Sequence, residues 1–199
     1  MNFLAHAYLS GTDPEIITGN FIGDFVKGNK LTNFSEEIQQ GIRLHRDIDY
    51  YTDHHPVVLK SKKRLQSKYR HYAGVIVDMF YDHLFASSWS KWHHETLEKY
   101  THHVYKILDN HAQELPERFN YMLSFMRRQN WLLSYSKVDG IHSALKGMAG
   151  RTKFDSGMET ASLELENHYD DFQEEFQRFF PDVINFTSKF EFVSKHKDQ

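Results

Sequence analysis

The run Ala73-Gly74-Val75-Ile76-Val77-Asp78-Met79-Phe80-Tyr81-Asp82-His83-Leu84-Phe85-Ala86-Ser87-Ser88-Trp89 decides the fold class. It is the most apolar stretch of the chain, yet it carries two acids and a histidine. Val75-Ile76-Val77 is too short for a strand and is flanked by helical signals. Read as a helix, the run sets Asp78 and Asp82 four residues apart on one face. Nearly everything around them favours burial. Two carboxylates in such surroundings repel each other and resist desolvation. Something positive has to stand between them: a metal ion, an Arg or a Lys. An ordinary buried ion pair or a helix cap would also satisfy these acids.

Helical signals continue on both sides of this run. Pro56 opens a basic helix that extends to about Tyr72. Before it, Ser35-Glu36-Glu37 starts a helix through Ile38, Ile42, His45 and Asp49, with its acids placed to favour the helix dipole. Asp13-Pro14 starts another, since Asp caps and Pro fits the first turn; it runs to about Lys27, where Gly28-Asn29 ends it. On the other side, helices are expected over about 95–110, 117–134 and 138–149. A long last one runs over about 156–180, with Pro181 marking its end or a kink. Within it, Phe172, Phe176, Phe179 and Phe180 form an amphipathic core stripe. No stretch alternates as a strand does, and there is no repeat or Ser/Gly linker. The expectation is an all-α, single-domain helical bundle spanning residues 1–199.

Composition supports this and narrows the function. A chain of 199 residues suits one domain, and an aromatic content of 15% supports a sizeable core and excludes disorder as the main state. Four prolines and ten glycines exclude collagen-like and low-complexity classes. The absence of cysteine excludes a disulfide framework, a thiol nucleophile and a Cys-based zinc or iron–sulfur site. A net charge of −3 supplies no global basic field, so no nucleic-acid partner is expected. Nothing approaches 18 consecutive apolar residues, so no membrane span is expected. Met1-Asn2-Phe3-Leu4-Ala5-His6 lacks a signal peptide's basic and apolar regions, and reads as mature sequence of a cytoplasmic protein. Charge is uneven along the chain. Lys60, Lys62, Lys63, Arg64, Lys68 and Arg70 occur with no acid among them, whereas nine acids and one Arg lie between Asp155 and Asp182.

The unusual count is 14 histidines. His54-His55, His93-His94 and His102-His103 sit in polar contexts and read as surface. Trp89, Trp92 and Trp131 read as packing residues. His45 and Asp49 are different: they share a helix face at i and i+4, where they chelate one ion or the acid orients the imidazole. An ordinary surface pair is the plainer alternative. In Thr18-Gly19-Asn20-Phe21-Ile22-Gly23-Asp24-Phe25-Val26-Lys27-Gly28, the two inner glycines permit close helix packing or approach by a ligand. Asp24 there needs a partner, for which Lys27 would suffice. His6 lies in an apolar helix, where a satisfied core histidine is the commoner case. Together, four helical segments bring a carboxylate or imidazole into apolar packing, as helical bundles do when they build metal sites. A mixed Asp/His set without thiolate favours Mn, Mg or Fe over structural zinc. Such sites activate water and offset charge on phosphoryl oxygens.

Several of these motifs in order resemble the acyl carrier protein phosphodiesterase family. They are Met1 to His6, Gly19 to Gly28, Gly41-Ile42-Arg43-Leu44-His45-Arg46-Asp47-Ile48-Asp49, Thr52-Asp53 before Pro56, and Asp78 with Asp82-His83. The Trp131 region and Lys146-Gly147-Met148-Ala149 extend the likeness over most of the chain. The resemblance implies an all-helical fold distantly related to HD-domain phosphohydrolases. It implies hydrolysis of holo-acyl carrier protein to the apo-protein and 4′-phosphopantetheine, with a divalent metal, usually manganese. The candidate ligands it marks are His6, Asp24, His45, Asp49, Asp78, Asp82 and His83. The chain departs from the HD pattern in its doublet, which is Asp82-His83 rather than His followed by Asp. Seven candidates also exceed one octahedral shell, so some must hold ligands rather than the ion. Asp24, His45, Asp78 and His83 are the catalytic candidates. Lys27 and Arg46 would offset phosphate charge. Either His83 or His45 would protonate the departing serine oxygen. Because acyl carrier proteins are small and acidic, the run from Lys60 to Arg70 is a candidate docking surface, or simply a solvated helix face. The rivals are an HD-like phosphohydrolase acting on a nucleotide or another small phosphodiester, and a helical protein that binds metal or a partner without catalysis.

Overall fold

A computed structural model describes residues 1–190, and among them every regular element is helical. In chain order the helices are α1 (Phe3–Leu9), α2 (Pro14–Ile22), α3 (Glu36–His54), α4 (Pro56–Tyr69), α5 (Ala73–Ser87) and α6 (Leu97–Asn110). They continue with α7 (Glu117–Arg128), α8 (Trp131–Ser134), α9 (Val138–Ala149), α10 (Ser162–Asn167) and α11 (Tyr169–Thr187). The all-α expectation therefore holds. Among the described residues no helix is long and apolar enough to cross a membrane.

Helix α5 is the centre. Ile76, Val77, Met79, Phe80, Tyr81, Leu84 and Phe85 are all buried, so it is apolar nearly all round because it is covered nearly all round. The aromatic stripe of α11 covers one side, with Phe172 edge-on to Phe80, and Tyr81 against Phe176 and Phe179. The opposed charges along the sequence meet here. Arg64 of α4 reaches the buried Glu175 of α11 through two nitrogens, at 2.7 and 2.8 Å, and Ser61 adds a third donor to the same carboxylate. Lys60 lies 3.2 Å from Glu175 and Lys68 lies 2.7 Å from Glu164. The basic and acidic stretches are thus partners across a helix seam, not separate faces.

Three helix expectations are corrected. The helix from Pro14 stops at Ile22 and tightens into a 3₁₀ turn over Gly23–Phe25 instead of reaching Lys27. The expected helix over 117–134 breaks at Asn130, which takes a left-handed conformation (φ 45°) and caps α8 through its side chain. Asn is among the few residues that adopt this conformation at modest cost. The long last helix is two helices, because His168 leaves helical geometry (φ −126°, ψ 30°). Pro181 does not end it; α11 runs through it to Thr187. It is exposed, and so is Gln177, whose carbonyl it leaves without a helical donor.

Helices α2 and α3 make the tightest crossing. A Cβ at Gly19 would overlap the Ile38 carbonyl, and one at Gly41 would overlap the Ile16 carbonyl. This crossing, with α1 laid over it, carries three of the motif stretches to one place.

Candidate metal centre

The end of α1 is fixed before any chemistry begins. Asp82 of α5 is fully buried, and its carboxylate accepts from the backbone N–H groups of Asn2 (3.1 Å), Leu4 (2.9 Å) and Ala5 (3.4 Å). These are first-turn donors that have no partner within the helix. Burial pushes the Asp82 carboxyl up to about 7, against the pull of those N–H groups and the Met1 amino group. Asp78 Oδ1 lies 2.8 Å from the Met1 amino nitrogen. The positive partners for the two acids are therefore an amino group and a helix end, rather than an Arg or a Lys.

So anchored, α1 points His6 at α3. His6 Nε2 lies 3.1 Å from Asp49 Oδ1, and His45 Nε2 lies 3.1 Å from Asp49 Oδ2. The two imidazoles stack with centroids 4.3 Å apart. Asp24, in the 3₁₀ turn, reaches within 3.4 Å of His45 Nε2 from a position 75% exposed. Gly23 makes room for this: a side chain there would run into the His45 ring. Of the two roles open to the glycines, Gly19 serves helix packing and Gly23 serves the imidazole.

Second-rank contacts set the orientation of the ligand atoms. His6 Nδ1 lies 2.7 Å from Asn20 Oδ1, and Asn20 in turn donates to the His6 carbonyl and to Ser10 Oγ. The Asn oxygen accepts, so Nδ1 donates there, while Nε2 faces Asp49 at hydrogen-bond distance and is the nitrogen that would turn to a cation. His45 is buried, and neither ring nitrogen makes a directed hydrogen bond, although two carboxylates lie close to Nε2. An orphaned buried nitrogen between two acids is what a site for a cation leaves behind. Single ligand atoms of His6, His45 and Asp49 all lie within 4.8 Å of one another. The donor set therefore fits a divalent ion.

The local electrostatics agree. Burial and the neighbouring His45 lower the pKa of His6. Burial works to lower His45 too, but Asp24 and Asp49 outweigh it and hold the group up at about 9. Burial would raise Asp49, yet the two imidazoles hold it well below the usual carboxylate range. His45 likewise lowers Asp24.

The remaining predicted residues lie elsewhere. His83 is not brought to the cluster; its Nδ1 faces the Tyr135 carbonyl at 2.8 Å and its Nε2 the Tyr169 hydroxyl at 3.2 Å. Arg46 donates to the Val26 carbonyl at 2.9 Å, which pins the segment leading to Lys27. Lys27 borders a cavity of about 360 Å³ beside the cluster, together with Asp24, Asp78, Arg118 and Arg151. Arg118 and Arg151 escaped the sequence reading. Each is an isolated exposed cation with no local pattern, and only the fold of α7 and the end of α9 carries it to Asp24. In the basic run, Lys60, Arg64 and Lys68 are paired as described and Lys62 meets Asp53, whereas Lys63 and Arg70 have no ion-pair partner among the described residues.

Comparison with known proteins places the chain. The family model described as acyl carrier protein phosphodiesterase matches residues 1–183. The chain belongs to the acyl carrier protein phosphodiesterase family. A relative of that name from Photorhabdus laumondii subsp. laumondii is 35% identical over 91% of this chain and 92% of its own. One from Escherichia coli O6:H1 is 30% identical over 95% of this chain and 98% of its own, and one from Salmonella agona is 29% identical over 92% and 96%. No solved structure matches the chain. The family match covers every helix that contributes to the cluster.

Proposed function

We propose that this protein hydrolyses the phosphodiester joining 4′-phosphopantetheine to a serine of an acyl carrier protein, releasing the apo-carrier. Membership of the family carries the reaction, and the convergence of His6, His45 and Asp49 beside an open cavity supplies a place for it. His6, His45 and Asp49 would hold a divalent ion, with Asp24 at the rim; the mixed imidazole and carboxylate set, without thiolate, suits manganese, magnesium or ferrous iron. When bound, such an ion activates water and offsets charge on phosphoryl oxygens.

The chain's own groups do the rest. Asn20 holds His6 in the tautomer that presents Nε2. Lys27, on the segment that Arg46 fastens, places an ammonium at the cavity edge for the phosphate. Arg118 and Arg151 add charge to the same cavity lining. Of the two histidines offered as proton donors, His83 is held away from the cluster by Tyr135 and Tyr169, and His45 Nε2 would be taken up by the ion, so neither is assigned the proton that the departing serine oxygen takes. Asp78 and Asp82 support α1 and thereby His6. Lys63 and Arg70, being unpaired, are the members of the basic run best placed to meet an acidic carrier. An HD-like descent is compatible with this helix-borne set of imidazoles and carboxylates.

The test is a mass assay of holo-acyl carrier protein incubated with the purified chain and Mn²⁺, Mg²⁺ or chelator. Metal-dependent loss of the phosphopantetheine mass is expected from the native chain and not from Asp49→Asn. Turnover of a nucleotide diester with an untouched holo-carrier would replace this reading with the small-diester one.

A further inference from the structure

A second cleft, of about 440 Å³, lies between α7, α8 and α9 and has no role so far. Its size falls in the range of small-molecule sites, about 300–1,000 Å³. It continues the cavity beside the metal centre, since Phe3, Met122, Met148 and Arg151 border both. Trp131, Ala144 and Met148 give it apolar walls, and Ser143 and Asp139 bring polar groups that have no hydrogen-bond partner among the described residues. Gly147 lies in the last turn of α9, where a Cβ would meet nothing within 4 Å, so packing does not demand a glycine there. It leaves the cleft open.

We propose that the cleft walled by Trp131, Ala144, Gly147 and Met148 receives the pantetheine arm of the substrate while the phosphate stays at the metal-centre cavity. This rests on the proposed function. The arm is a chain of methyl-bearing and amide-bearing segments ending in a thiol, and it departs from the phosphate. A cleft with apolar walls and scattered polar groups, opening beside the phosphate's place, has the matching chemistry. Arg151, at the junction, stands where phosphate gives way to arm.

The experiment uses the full chain and Gly147→Leu, with Lys146→Leu as a control on the same helix outside the cleft. Binding of pantetheine, which lacks the phosphate, is measured by calorimetry, alongside apo-carrier binding, oligomeric state and KM for the holo-carrier. Gly147→Leu should weaken pantetheine binding and raise KM by about tenfold or more, the scale of a few misplaced methylenes in a pocket. Apo-carrier affinity, oligomeric state and melting temperature should hold, and Lys146→Leu should match the native chain throughout. Native-like pantetheine binding by Gly147→Leu would overturn the assignment. So would lost apo-carrier binding, which gives the cleft to the carrier body, or a changed oligomeric state, which gives it to a second copy. If the native chain leaves every holo-carrier intact, the proposed reaction fails, while the binding comparison still decides the cleft.

Discussion

Gly23→Ala tests the link from local packing to chemistry. Gly23 has φ −49° and ψ −43°, which alanine adopts freely, so the backbone is not strained by the change. The added methyl, however, would lie 2.5 Å from His45 Cδ2 and 2.7 Å from His45 Cβ, and would overlap Cγ. Carbon atoms in contact sit about 3.5–4.0 Å apart, so the imidazole must move by roughly 1 Å. Overpacking of this kind costs about 1–3 kcal/mol, offset by about 0.4–1 kcal/mol from the less flexible unfolded chain. The net loss of stability is therefore about 0–2.6 kcal/mol. The effect on the site is larger, because a displacement of about 1 Å in a catalytic constellation costs about 100-fold in rate. The shift would also disturb the 4.3 Å stack with His6 and the 3.1 Å approach to Asp49. Denaturant unfolding, Mn²⁺ titration and the holo-carrier mass assay, run side by side, should show a folded protein with weak metal binding and about 1% of native turnover. Native activity in a well-folded Gly23→Ala chain would refute the role of His45 at this position.

Other perturbations separate structure from chemistry. Asp82→Ala strands three backbone donors of α1 at about 1–3 kcal/mol each, so the unfolding free energy should fall by about 3 kcal/mol or more; loss of metal binding from a protein of native stability would instead mark Asp82 as a ligand. Metal affinity should rise with pH. His45, held up at about 9 in the metal-free chain, must shed its proton to bind, so Mn²⁺ affinity should climb by about tenfold per unit from pH 7 and level near 9, or somewhat lower where solvent at the 40% exposed Asp49 screens the pair. The metal-free chain should run the other way: a pKa raised from 6.5 stabilises it below pH 6.5, and that contribution fades as pH rises through 9, measurable as a falling melting temperature. Glu175→Ala leaves Arg64 without its carboxylate at a site only 17% exposed and should cost about 2–4 kcal/mol while specific activity of the folded fraction holds.

The helical class, the apolar centre at Ala73 to Trp89, the phenylalanine stripe and the pairing of His45 with Asp49 on one helix face were all legible in the sequence. Each rests on spacing along one helix, a property the local chain carries. His6 was marked as a candidate ligand only by the resemblance to the family. The same spacing also set Asp78 and Asp82 on one face and marked them as acids in need of positive partners. It could not say which partners, because these come from the other end of the chain: the Met1 amino group and the first turn of α1. His83 drew the same suspicion as His45, yet Tyr135 and Tyr169 satisfy it from 52 and 86 residues away. The helix breaks at Asn130 and His168 were missed because neither residue announces a break on its own. Arg118, Arg151 and the cleft beside Gly147 left no pattern at all, since one cation on a helix reads as a solvated face until the fold turns it toward a cavity. Periodicity determined which residues would be buried together on each helix. Only tertiary packing decided which buried groups found partners within the protein, and which, like His45 Nε2, were left between two carboxylates without a directed hydrogen bond.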